Sequence, residues 1–143
     1  MNEDLTMRTL FILFISFNPI TIFADCNYGD CNSGYGSATF PKGDVYVGDW
    51  KNGKAQGKGI LKYKDGNTYF GDWREGKANG YGVMEYSNGN RYKGEWKDSE
   101  AHGNGTLFDK EGKIIFSGKW FEGKMLEEVV QTEKNLAQKD QKN

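Results

Sequence analysis

A period of 23 residues dominates the chain and leaves it little choice of fold. YFGDWREGKANGYG at Tyr69–Gly82 returns 23 residues earlier as YVGDWKNGKAQGKG at Tyr46–Gly59, and 23 residues later as YKGEWKDSEAHGNG at Tyr92–Gly105. A further step of 24 gives FSGKWFEGK at Phe116–Lys124. A fixed period of this length marks a repeat architecture, in which each unit buries its apolar face against its neighbours.

Inside each unit the pattern alternates with a period of two. Tyr46, Gly48 and Trp50 share one face of a strand, with Val47 and Asp49 on the other. Tyr69, Gly71 and Trp73 repeat this, as do Tyr92, Gly94 and Trp96, and finally Phe116, Gly118 and Trp120. A six-residue connection follows, at Lys51–Gln56, Arg74–Asn79 and Lys97–His102. The second run then places Gly57, Gly59, Leu61 and Tyr63 on one face; Gly80, Gly82 and Tyr86 recur there, and Gly103 and Gly105 again. Gly66, Gly89 and Gly112 each follow a polar residue between alternating runs, and Asp65-Gly66 and Asn88-Gly89 are strong hairpin-turn signals because glycine takes positive φ without penalty. The pattern predicts an all-β chain: an elongated, single-layer antiparallel meander of hairpins. One residue is added between Gly112 and Phe116, which would reverse the facing of the strand, so an irregularity is expected within Asp109–Ile115.

Of the 20 glycines, all but Gly29 fall in recurring slots, many of them alternating with large aromatics on one face. A glycine weakens a strand, and a ring laid across it restores burial. With four tryptophans and eight tyrosines, ring-on-glycine contact can replace the thick core that a single sheet layer lacks. The consensus residues named above therefore read as structural, and specificity is placed in the variable connections 51–56, 74–79 and 97–102.

The spacing YxGxWxxGxxxGxGxxxYxxGxxY, as in Tyr46–Tyr69 and Tyr69–Tyr92, resembles the MORN (membrane occupation and recognition nexus) repeat over about Gly34–Lys124. The resemblance implies stacked β-hairpins in a twisted antiparallel sheet and a role in protein–protein contact, dimerisation or attachment near membranes. It implies no catalytic residue and no cofactor. Familiar members of the family work in the cytoplasm, whereas the amino terminus here points elsewhere.

That terminus carries a 14-residue largely apolar run, Leu10–Phe23, too short for an ordinary spanning helix. With Ala24 as the small residue before cleavage, residues 1–24 read as a secretory signal, and the protein as exported to the periplasm or secreted; the alternatives are an uncleaved membrane anchor or a buried strand. Residues 25–45 form an atypical first repeat that caps the array. Cys26 and Cys31 can pair there in an oxidising compartment, closing a small loop that contributes roughly 2 kcal/mol; the alternative is two free thiols. The array spans 46–126. The polar tail, 127–143, reads as a short helix beginning near Leu126 or as disordered chain.

Composition and charge limit the function. A net charge of −1 gives no attraction to nucleic acid. Two cysteines and one histidine, His102, do not make a metal site, and His102 has no partnered nucleophile at a useful spacing. Asp49, Asp72 and Glu95 each precede a repeat tryptophan and read as consensus surface residues rather than an acid–base pair. The expected function is a non-catalytic binding or scaffold module that contacts a protein partner or a second copy of itself as a homodimer. Phospholipid and glycan are the alternative ligands. Lys51, Lys54, Lys58, Lys62 and Lys64 motivate the lipid reading, but Asp44–Leu126 holds 14 Lys plus Arg against 12 Asp plus Glu, a net of only +2.

Overall fold

Among the described residues, ten strands follow one another in chain order across one antiparallel sheet, each bonded to its sequence neighbours. They are β1 (Asp25–Gly29), β2 (Ser33–Thr39), β3 (Val45–Lys51), β4 (Lys54–Lys62), β5 (Thr68–Arg74), β6 (Lys77–Glu85), β7 (Arg91–Lys97), β8 (Glu100–Phe108), β9 (Ile114–Phe121) and β10 (Lys124–Met125). The structure is a computed structural model and describes residues 25–126. The signal expected at 1–24 and the tail at 127–143 lie outside the described residues. The fold is the meander of hairpins that the period predicts.

The register explains the glycines. Gly36, Gly48, Gly59, Gly71, Gly82, Gly94, Gly105 and Gly118 pair in turn, so a line of glycines crosses the sheet from β2 to β9. The Tyr46 ring lies over Gly48 and Gly59, Tyr69 over Gly71 and Gly82, and Tyr92 over Gly94 and Gly105; Phe116 covers Gly118. A Cβ on Gly59, Gly82, Gly105 or Gly118 would enter the ring above it, and one on Gly48, Gly71 or Gly94 would meet the tyrosine hydroxyl and the backbone of the facing strand. The three tyrosines are the largest fully buried side chains, at most 1% exposed.

The rings also pack on one another. Trp50, Tyr46, Trp73, Tyr69, Trp96, Tyr92, Trp120 and Phe116 form an unbroken edge-to-face ladder, with centroids 4.9–5.5 Å apart and planes crossing at 78–88°. Such contacts add about 0.5–1.5 kcal/mol per pair beyond the area they bury. Each ring's polar atom is satisfied by backbone. The indole N–H groups of Trp50, Trp73, Trp96 and Trp120 donate to the carbonyls of Gly36, Gly59, Gly82 and Gly105 at 3.1–3.2 Å. The tyrosine hydroxyls donate to the carbonyls of Asp49, Asp72 and Glu95 at 3.0–3.1 Å. Burial pushes the phenols of Tyr46, Tyr69 and Tyr92 far above the usual tyrosine range, with the neighbouring carboxylates adding to the effect.

The six-residue connections are not loops. Lys51 pairs with Lys54, Arg74 with Lys77 and Lys97 with Glu100, leaving two-residue turns at Asn52-Gly53, Glu75-Gly76 and Asp98-Ser99. Both turn residues have positive φ in each case. That is the geometry whose twist matches the flanking strands. The residues after each turn belong to the next strand: Ala55, Ala78 and Ala101 are 4–6% exposed and face Trp50, Trp73 and Trp96. The apparent loop arises because a bulge breaks the alternation. Between the pairs Gly48–Gly59 and Trp50–Ala55, one residue of β3 opposes three of β4, and the same offset recurs in the next two hairpins. Gly57, Gly80 and Gly103 sit in these bulges at φ 67°, 122° and 61°, so they serve backbone conformation rather than ring packing.

The inserted residue of the fourth unit is absorbed where expected. Leu107 pairs with Phe116 and Phe108 with Ile114, so Ile115 bulges out. Trp120 therefore reaches a glycine carbonyl 15 residues back, where the other three tryptophans reach 14.

Candidate binding surface

The ladder fills one face of the sheet, and its members are consumed by packing. Trp50, Trp73, Trp96 and Trp120 are 6–8% exposed. Tyr63 and Tyr86 are half-buried against the ladder and close the other set of turns, where Gly66 and Gly89 donate N–H to their carbonyls; Asp109 takes this place in the fourth unit, with Gly112 donating. An apolar hollow of about 220 Å³ remains between Phe40, Trp50, Ala55, Leu61 and Trp73. It falls below the ~300 Å³ at which small-molecule pockets begin.

The opposite face is what the chain presents. Strand alternation puts Tyr35, Val47, Ile60, Phe70, Tyr81 and Val83 there. Their alignment follows from the register: Ser37, Val47, Ile60, Phe70, Val83, Lys93, Thr106 and Ser117 pair in sequence across β2–β9. The middle of this row, on β3–β6, is an apolar stripe. Phe70 is 36% exposed, and Val47, Ile60 and Val83 are half-buried. One flanking row carries Tyr35, Asp49, Lys58, Asp72, Tyr81 and Glu95, with Tyr35 and Tyr81 at 58% and 50% exposure. The other carries Val45, Lys62, Thr68, Glu85 and Arg91. The consensus residues build the ladder, the turns and the bulges, so the residues that differ between units decorate this face.

Asp49, Asp72 and Glu95 do more than decorate a surface. Their carboxylates accept the backbone N–H of Lys58, Tyr81 and Asn104 at 3.1, 2.9 and 3.1 Å, latching each bulge across its hairpin. The recurrence of an acid before three of the four tryptophans was visible in the sequence; its acceptor role was not. Asp72 also pairs with Lys58, and that hydrogen bond, followed by the one from Tyr81, holds its carboxyl below the usual range. The backbone N–H of Asn104 does the same for Glu95, reinforced by the Asn104 amide. A carboxylate held below its unfolded value stabilises the fold above the ordinary carboxylate range and loses that contribution as pH falls through the folded value. The urea midpoint is therefore expected to fall on acidification through that range, and Asp72→Asn is expected to flatten the decline. A slope unchanged by the substitution would remove the latch from the account.

Three lysines of the array form ion pairs between hairpins. Lys54 pairs with Glu75 at 2.9 Å, Lys77 with Asp98 at 3.4 Å and Lys58 with Asp72, each linking one hairpin to the next. His102 lies against the Phe121 ring, with centroids 5.4 Å apart. The turns expected to hold specificity are docked rather than free: Gly53, Gly76, Ser99 and Gly123 donate N–H to the carbonyls of Asn32, Ala55, Ala78 and Ala101 on the preceding hairpin. At the amino-terminal edge, Cys26 and Cys31 are joined by a disulfide.

Residues 46–68, 69–91 and 92–113 each match the family model of the MORN repeat. No curated protein matches the chain. The matched units begin at the tyrosines that cover the glycine line and cover the three complete bulged hairpins β3–β4, β5–β6 and β7–β8. Residues 46–113 are three MORN repeats in tandem.

Proposed function

We propose that this protein is an exported, non-catalytic binding module that contacts other protein through the face opposite the ladder. The observation that carries this reading is the segregation of exposed rings. The ladder aromatics are buried in their own packing, whereas Tyr35, Phe70 and Tyr81 stand exposed on one face beside Val47, Ile60 and Val83. Aromatic and aliphatic side chains clustered within a charged rim fit a protein surface. The ion pairs of Lys54, Lys58 and Lys77 weaken the competing lipid reading, because those cations already have partners. Export is supported by the apolar run Leu10–Phe23 and by a disulfide directly after it, a bond that persists in oxidising compartments.

Site-specific photocrosslinking in the producing cell tests the reading. A crosslinker in place of Phe70 is expected to give protein adducts, and one in place of Met84, on the ladder face, is expected to give few. Equal labelling from the two positions, or none from position 70, would sink it. Mass spectrometry of the same protein is expected to find Asp25 as the mature amino terminus.

A further inference from the structure

Resting on the reading that the opposite face makes the contact, we propose that its occupant is a second copy of this chain. The two copies stack face to face across a two-fold axis that runs along the strands, between β4 and β5. Two-fold contacts use one self-complementary patch on both subunits, and the register allows that condition to be checked row by row. This rotation keeps each row on itself and exchanges β4 with β5 and β3 with β6. Ile60 then meets the partner's Phe70, and Val47 meets the partner's Val83. In the flanking row Lys58 meets the partner's Asp72, and Asp49 meets the hydroxyl of the partner's Tyr81. In the other row Lys62 meets the partner's Thr68, and Val45 meets the partner's Glu85. No like charges face each other.

The other two-fold arrangement, with its axis across the strands, swaps the flanking rows. It sets Lys58 over the partner's Lys62, and like charges brought together are penalised. Stacked sheets lie ~10 Å apart with strand directions within about 30°, so rows close to the axis still meet. Extending the match to β2 and β7 adds Tyr35 over the partner's Glu95, while Ser37, 4% exposed, stays beneath the contact. At about 4.8 Å between strands and 3.4 Å per residue, those six strands offer roughly 700 Å² of face per copy, close to the ~800 Å² per partner of a stable complex.

Sedimentation velocity on the full chain tests the proposal with Ile60→Glu and Phe70→Lys. Wild type is expected to dimerise. Each variant alone is expected to weaken the dimer at least tenfold while keeping the wild-type tryptophan emission, since neither position belongs to the ladder. Mixing the two variants is expected to restore a heterodimer, because the new carboxylate at position 60 meets the new ammonium at position 70 while Ile60 still meets Phe70. Should a charge variant fail to fold, Phe70→Ser reads the same loss of dimer. A wild-type monomer at every concentration overturns the second-copy proposal; if position 70 still crosslinks to a different protein, the face reading survives it. A dimer that ignores these substitutions places self-contact at a sheet edge and overturns the proposal as well.

Discussion

Replacing Tyr69 by alanine is expected to cost about 3–5 kcal/mol, the range for deleting a large buried ring. Tyr69 is fully buried, stands edge-to-face with Trp73 at 5.2 Å and Trp96 at 5.0 Å, and covers Gly71 and Gly82. Its loss breaks the ladder at its centre and bares the backbone of two strands that have no side chain to offer there. For domains of ordinary stability, about 5–15 kcal/mol, this removes a large share of the total. At roughly 4–8 °C per kcal/mol for a domain of this size, the melting point drops by more than about 12 °C. Tyr35→Ala is the control. Tyr35 is 58% exposed on the other face and belongs to no ladder contact, so its removal is expected to stay within about 0.5 kcal/mol. Urea titrations followed by tryptophan fluorescence compare the two. A Tyr69→Ala variant as stable as Tyr35→Ala would mean that the ladder does not hold the sheet together.

That contrast between two tyrosines also measures what was legible in the sequence. The period, the alternation and the association of glycine with aromatic were plain, and they carry the meander, the ladder face and the bulge at Ile115. The length of the connections was not. Read along one strand, the alternation fails after Trp50 and resumes near Gly57, which looks like a six-residue loop. The fold instead makes a two-residue turn and spends the extra residues in a bulge latched by Asp49. That solution depends on a hydrogen bond across the hairpin, from the Lys58 N–H to the Asp49 carboxylate, which no local pattern announces. One signal was available: Ala55, Ala78 and Ala101 recur five residues after each first-strand tryptophan, and a repeated small apolar residue inside a supposed loop argues for burial.

The candidate surface was hidden for a related reason. Alternation alone says that Val47, Ile60, Phe70 and Val83 point away from the ladder. It does not say that they form one row, because their alignment depends on the bulge offset within each hairpin and on glycine meeting glycine between hairpins. Until the offset is known, the apolar residues of the second face look like scattered exposures, which are ordinary on any protein. Once it is known, they fall together into one apolar row.

Gly82→Ala is expected to be destabilising by about 1–3 kcal/mol, the range for overpacking a filled site, and the reason separates two kinds of glycine in this chain. Gly80 has φ 122° and needs to be glycine for its backbone. Gly82 has no positive φ; a Cβ there would run into the Tyr69 ring, which approaches to 2.6 Å at its Cε2 and closer still at its hydroxyl. The ring cannot yield, because Trp73 and Trp96 hold it on both sides and its hydroxyl is tied to the Asp72 carbonyl at 3.1 Å. In a Tyr69→Ala background the three atoms nearest to a Cβ at Gly82 are gone with the ring, and the same Gly82→Ala change puts a methyl group over bare strand backbone. Its cost there is expected to vanish or change sign, giving a coupling of about 1–3 kcal/mol between the two sites, within the range for residues in contact. Gly80→Ala, run through the same cycle, is expected to stay destabilising in both backgrounds, because its penalty lies in φ and in a clash with the Asp72 side chain. Additive costs for Tyr69 and Gly82 would show that the glycine line is kept for its backbone and not for the rings that lie on it.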